Sequence, residues 1–153
     1  MINAGDRMPD LLGTDAEGNE VRLSQFPGKR IALYFYPKDN TSGCTAQACS
    51  LRDAWQDLLD AGYQVIGVSV DSAESHRRFA ARHSLPFPLI ADTGHHLVEL
   101  AGVWAEKSMY GRKYMGTLRT TLIIGPDGIV ERVMSSKEIK TKTHASQILA
   151  LPR

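Results

Sequence analysis

Residues 30 to 36, RIALYFY, form an unbroken apolar and aromatic run between PGK and a proline, which predicts a buried strand. A helix is expected next. Thr41, Ser42 and Gly43 can open it, and Ala48, Leu51, Trp55, Leu58 and Leu59 then recur at helical spacing until Gly62 stops the run. Residues 64 to 70, QVIGVSV, predict a second buried strand, and residues 73 to 83 a polar helix carrying Phe79 and Ala80 that ends before LPFP. Asp71, just after that strand, is expected to cap this helix rather than to bind a ligand. Strand, helix and strand make a βαβ unit. Further on, TTLIIG at 120 to 125 and IVERV at 129 to 133 flank Pro126, Asp127 and Gly128, the pattern of an antiparallel hairpin, and a last helix is expected from near Thr143.

A βαβ half followed by a ββα half predicts an α/β protein with a mixed central sheet flanked by helices, the thioredoxin-like arrangement. A flavodoxin-like sheet would share the first half. The C-terminal hairpin favours the thioredoxin-like fold. With no internal repeat and no linker rich in Pro, Gly or Ser, the chain is expected to be one domain, residues 1 to 153.

Composition narrows the chemistry. With 42% hydrophobic and 23% charged positions, the 153 residues suit a globular domain with a sizeable core. Eighteen basic and seventeen acidic side chains nearly cancel, and no basic stripe suggests a nucleic-acid partner. The N-terminal MINAGDRMPDLLG does not read as a targeting segment. No apolar stretch approaches the roughly 18 residues of a membrane span. A cytoplasmic location is expected, and in a reducing compartment the two cysteines point to redox chemistry or metal binding rather than a structural staple.

Both thiols lie in YPKDNTSGCTAQACSLRD, residues 36 to 53. Cys44 falls in the first turn of the expected helix, where unpaired backbone N–H groups and the helix dipole favour an anion. A thiolate is the nucleophile that peroxide reduction or disulfide exchange requires. Because Thr41, Ser42, Thr45 and Gln47 are polar, a dry, inert setting for Cys44 is disfavoured. For Cys49 the inert and reactive readings remain open. One C-x4-C pair with five scattered histidines does not make a tetrahedral zinc site, and the adjacent His95 and His96 are expected on different sides of a helix, solvated.

Pro37, Thr41 and Cys44 in PKDNTSGC match the P-x-x-x-T-x-x-C signature of the peroxiredoxins, and CTAQACSLRD resembles the bacterioferritin-comigratory, or peroxiredoxin Q, subgroup. GDRMPDLL, GVSVDSAESHRRFAARHSLPFPLIAD and EKSMYGRKYMGTLRTTLIIGPDG extend the likeness over most of the chain. The resemblance implies a thiol peroxidase acting on hydrogen peroxide and organic hydroperoxides, without cofactor or metal. It implies attack by Cys44, with Thr41 and the N–H groups of Gly43 and Cys44 holding the peroxide oxygens and Pro37 shaping the pocket. Arg119, in GTLRTT, would activate both reactants, and it is this match that sets it above Arg112, Lys107 or Lys113. Cys49 would be the resolving thiol, forming an intramolecular disulfide that thioredoxin or a similar dithiol reduces, in a monomer. Gln47 departs from the glutamate common in the subgroup. The other classes in play are a thioredoxin-like disulfide oxidoreductase, which C-x4-C instead of C-x-x-C disfavours, and a non-enzymatic binding or holdase domain.

Overall fold

The computed structural model describes residues 1 to 152. A short hairpin, β1 (Leu11–Thr14) and β2 (Glu20–Arg22), precedes β3 (Arg30–Phe35). Then follow α1 (Ser42–Asp53), α2 (Trp55–Asp60), β4 (Tyr63–Ser69), α3 (Ala73–His83), β5 (Leu89–Ala91) and α4 (His96–Leu100). A second hairpin, β6 (Trp104–Met109) and β7 (Arg112–Thr117), leads into β8 (Thr120–Ile124) and β9 (Val130–Met134). A 3-10 turn at Thr141–Thr143 then enters α5 (His144–Leu149).

The five central strands lie in the order β5-β4-β3-β8-β9. β3 pairs in parallel with β4 and antiparallel with β8, from Ile31 opposite Ile124 to Phe35 opposite Thr120. The sheet is therefore mixed, as the pattern predicts. Period-two alternation divides β3 between two cores. Ala32 and Tyr34 pack with Ala48 and Leu51 of α1, Leu58 of α2, Phe79 of α3 and Ile148 of α5. Ile31, Leu33 and Phe35 pack on the other face with Leu97 and Val98 of α4 and Leu12 and Val21 of the first hairpin. Both faces are covered, so β3 and β4 read as continuous apolar runs without alternation.

The single helix expected up to Gly62 is two. Ala54, at φ −101° and ψ 17°, leaves the helical region, and its N–H is shared between the carbonyls of Ser50 and Arg52. Trp55 then packs on Phe87 with ring centroids 5.9 Å apart. Asp71 is not the cap of α3. Ser72 holds that position and accepts the Ser75 N–H at 3.1 Å, while Asp71 turns back to the segment after β3 and accepts the Asp39 N–H at 2.8 Å. No helix among the described residues is long and apolar enough to cross a membrane.

Candidate active site

β3 ends at Phe35, Tyr36 follows it in the core, and Pro37 starts the turn that delivers the chain to α1. Asn40, at φ 61°, reverses direction just before the helix. Thr41 occupies the N-cap position in extended backbone, but its hydroxyl donates to the Lys38 carbonyl at 2.9 Å instead of capping the helix. The first intrahelical bond runs from the Thr45 N–H to the Thr41 carbonyl at 2.9 Å. The N–H groups of Gly43 and Cys44 thus precede the ladder, where an anion is favoured.

Cys44 is buried, 1% exposed, with part of its surroundings in the core that α1 shares with β3. That is drier than its polar sequence neighbours suggest. It is nonetheless not an inert setting. Arg119, on the two-residue link between β7 and β8, aims Nη2 at Cys44 Sγ, 3.3 Å away, and Nη1 at Gln47 Oε1. Gly43 makes room for this approach, because a Cβ there would stand 3.3 Å from Nη2. The link is itself held, with the Leu118 N–H donating to the Val103 carbonyl at 2.7 Å. Gln47 is fully buried and fixes the guanidinium through its amide oxygen, a neutral partner that leaves the arginine's charge uncompensated on the thiol side.

Cys44, Gly43, Thr41, Pro37 and Arg119 border one cavity of about 600 Å³. All five residues that the sequence placed around the peroxide are therefore brought together, across 75 residues between Cys44 and Arg119. Its far wall is not anticipated by the sequence reading: Trp104, Met109, Tyr114 and Met115 of the β6 and β7 hairpin. Lys107 lines it too, donating from Nζ to the Thr117 carbonyl at 3.0 Å, and partial burial together with the nearby Arg119 charge pushes its pKa below 10.5. A groove of similar size, about 620 Å³, lies at the other end of β3 beside Lys29, Phe26 and Gly128, and holds no thiol.

Cys49 sits in the same helix as Cys44, half-buried, with Sγ 4.0 Å from His83 Nδ1 at the end of α3. Both thiols are free. Arg52, three positions on, ties α1 to α3 by donating to the His83 carbonyl at 2.8 Å. His96 is exposed at the start of α4. His95 is not on the helix but caps it at φ 61°, and its ring lies against Trp104 with centroids 4.3 Å apart, so it is partly sheltered rather than solvated.

Residues 4–133 match the AhpC/TSA family. The chain belongs to it. It is 42% identical to peroxiredoxin Bcp of Escherichia coli over 97% of this chain and 94% of that protein. Against peroxiredoxin Bcp of Bacillus subtilis it is 40% identical over 97% and 93% of the two chains. A solved structure of the Xanthomonas campestris bacterioferritin comigratory protein, described for its alkyl peroxide reduction activity, superposes with a TM-score of 0.82 at 31% identity, covering 95% of this chain and 96% of that one. The thioredoxin-like fold and the Bcp and peroxiredoxin Q likeness expected from the motif are thereby established, and with them a thiol-dependent peroxidase.

Proposed function

We propose that Cys44 is the peroxidatic thiol, Cys49 the resolving thiol, and Arg119, Thr41, Gly43 and Pro37 the groups that receive the peroxide. The observation that carries this reading is the Arg119 fork, one amine on Cys44 Sγ inside the cavity. A guanidinium stays charged and favours the thiolate, and its planar donors can also reach an oxygen lying along the line of attack. The Thr41 hydroxyl spends its single proton on the Lys38 carbonyl, so towards substrate it acts as an acceptor for the peroxide O–H. Pro37 has no N–H to compete with these contacts.

In the reaction, the Cys44 thiolate attacks one peroxide oxygen, the O–O bond breaks, and the leaving oxygen departs as alkoxide or hydroxide and takes a proton. Cys44 becomes a sulfenic acid. The Cys49 thiol then displaces that oxygen as water, and a disulfide forms. An external dithiol such as thioredoxin returns both cysteines to thiols. The apolar wall of Trp104, Met109, Tyr114 and Met115 suits an organic hydroperoxide as well as hydrogen peroxide. We assign this cycle to one domain acting as a monomer in the cytoplasm.

Intact-mass measurement after one equivalent of hydrogen peroxide tests the assignment. The expected product has lost two hydrogens and carries a Cys44–Cys49 bond. A gain of one oxygen would remove Cys49 from the role, and an unchanged mass would remove Cys44.

A further inference from the structure

Between Pro37 and Thr41 the active-site segment dips inward. Asp39 is 5% exposed although Lys38 and Asn40 on either side face solvent. Its carboxylate collects three partners. Tyr36 donates its hydroxyl to Oδ1 at 2.6 Å, Ser75 donates to Oδ2 at 2.8 Å, and His76 Nδ1 lies 2.7 Å from Oδ2. His76 is fully buried, and its other ring nitrogen, Nε2, lies 2.9 Å from the Ile90 carbonyl oxygen. Two acceptors therefore face the two nitrogens of one ring. A neutral imidazole carries a single N–H and would set a lone pair against one of these oxygens, whereas the cation donates to both. With three donors converging on it, the carboxylate is the form of Asp39 that fits.

We propose that His76 is a positioning residue: an imidazolium sealed under the active-site segment that grips Asp39, holds Pro37, Thr41 and the first turn of α1 in the reactive arrangement, and makes peroxide reduction fail at alkaline pH when the ring loses its proton. It rests on the reading of Cys44 as the peroxide-reactive thiol. The charge balance agrees. Burial alone would lower the pKa of His76, but the hydrogen bond and charge of Asp39, with Asp71 adding to them, raise it above 6.5. Burial alone would raise Asp39, but hydrogen bonds from His76, Tyr36 and Ser75 bring it below 3.8. The titratable groups facing the ring are Asp39 from the segment after β3, Asp71 from the turn after β4 and Tyr36 at the end of β3. The ligand-type atoms of Asp39, Asp71 and His76 come within 4.8 Å of one another, but they are engaged with each other, Ser69, Ser75, Tyr36 and backbone, which fits a clamp better than a metal site. Deprotonation would set a ring lone pair against either the Asp39 carboxylate or the Ile90 carbonyl and would leave the buried carboxylate without its neutralising cation, and the cheapest relief is for the segment to move outward.

Nuclear magnetic resonance of the reduced full chain, titrated from neutral to alkaline pH, tests this directly. Both His76 ring nitrogens should carry protons at neutral pH, and the amides of Lys38, Asp39, Asn40 and Thr41 should shift with the midpoint of that ring. The rate constant for hydrogen peroxide should fall with the same midpoint. His76→Asn keeps a neutral donor for Asp39, so it should react roughly ten- to a hundredfold more slowly at neutral pH, as misplaced reacting groups do, and lack the alkaline fall. A single ring N–H at neutral pH, or segment amides that ignore the ring, overturns the proposal even if His76→Asn does not fold. An alkaline fall that survives in folded His76→Asn overturns it too. A parent that shows the coupled ring and amide titration but never reacts with peroxide supports the clamp and sinks the assignment of Cys44.

Discussion

Replacing Arg119 by lysine keeps a positive charge near Cys44 but removes the planar fork that reaches Sγ and Gln47 together. Loss of one such fixed donor should slow the reaction with peroxide by roughly a hundredfold or more, measured by stopped-flow fluorescence. An unchanged rate would show that charge alone is used. Cys44→Ser should abolish turnover, because a hydroxyl is not ionised at neutral pH and cannot replace the thiolate. Cys49→Ser should consume one equivalent of peroxide, halt at the sulfenic acid and progress to sulfinic acid in excess oxidant. Full multiple turnover with thioredoxin in that variant would dismiss Cys49 as the resolving thiol. At this scale the sequence was informative where partners are close in the chain. Pro37, Thr41 and Cys44 lie close together in the chain, so their motif names them, and Gly43 stands next to Cys44. Arg119 is 75 positions from Cys44, and no local spacing points to it; only likeness to a family does. The Asp39 and His76 pair, 37 positions apart, carries no such signal, and a histidine on an otherwise polar helix reads as solvated.

The helix that bears both thiols must open for them to meet. In an intact α-helix, positions five apart are separated by about 140° around the axis and about 7.5 Å along it, hence a Cα distance near ~8.7 Å. A disulfide tolerates no more than about 7 Å. α1 spans Ser42–Asp53 and contains both cysteines, so a Cys44–Cys49 bond requires its N-terminal turns to unwind. The anchors say where unwinding stops. Ser50 Oγ accepts the Ala145 N–H at 3.1 Å, Leu51 is fully buried, and Arg52 is tied to α3. Amide hydrogen exchange should therefore accelerate over residues 41 to 50 on oxidation, while β3, β4 and residues 55 to 60 stay protected. A proven Cys44–Cys49 bond with unchanged protection in that window would sink the idea. Element placement was legible wherever burial follows a period: Ala48 and Leu51 of α1 and Leu58 of α2 recur at helical spacing and are all buried in one core. The break at Ala54 was not, since no proline or glycine marks it and the displaced half still packs inward through Trp55 and Leu58. Nor was the β6 and β7 hairpin, whose residues are largely exposed on both faces and give no alternation.

Across the whole molecule, two buried histidines make stability depend on pH in opposite senses. His76 is held charged and His144 is held neutral. His144, at the start of α5, accepts from Thr121 Oγ1 at Nε2, 2.8 Å away, and donates from Nδ1 to Gln147 Oε1 at 3.0 Å. Burial pushes its pKa below 6.5. As pH falls through 6.5 the unfolded chain therefore protonates this ring before the folded one does, and stability declines from there down to the folded value. His76 behaves the other way. Its pKa is raised above 6.5, so its contribution is fully present below 6.5 and is lost as pH rises through the higher folded value. Asp39, lowered from 3.8, adds stability above that value and withdraws it as pH falls further. The urea midpoint should thus peak near neutrality and decline on both sides. His144→Gln, which can keep an acceptor and a donor without titrating, should flatten the acid limb just below neutrality and leave the alkaline limb intact. His76→Asn should do the reverse. Asp39→Asn breaks the buried pair, which should cost about 3–5 kcal/mol at neutral pH and remove the alkaline limb, because the buried ring without its carboxylate gives up its proton. Urea midpoints that run parallel to the parent's at every pH in both histidine variants would show that neither ring titrates on unfolding, and would place the origin of the pH dependence elsewhere in the chain.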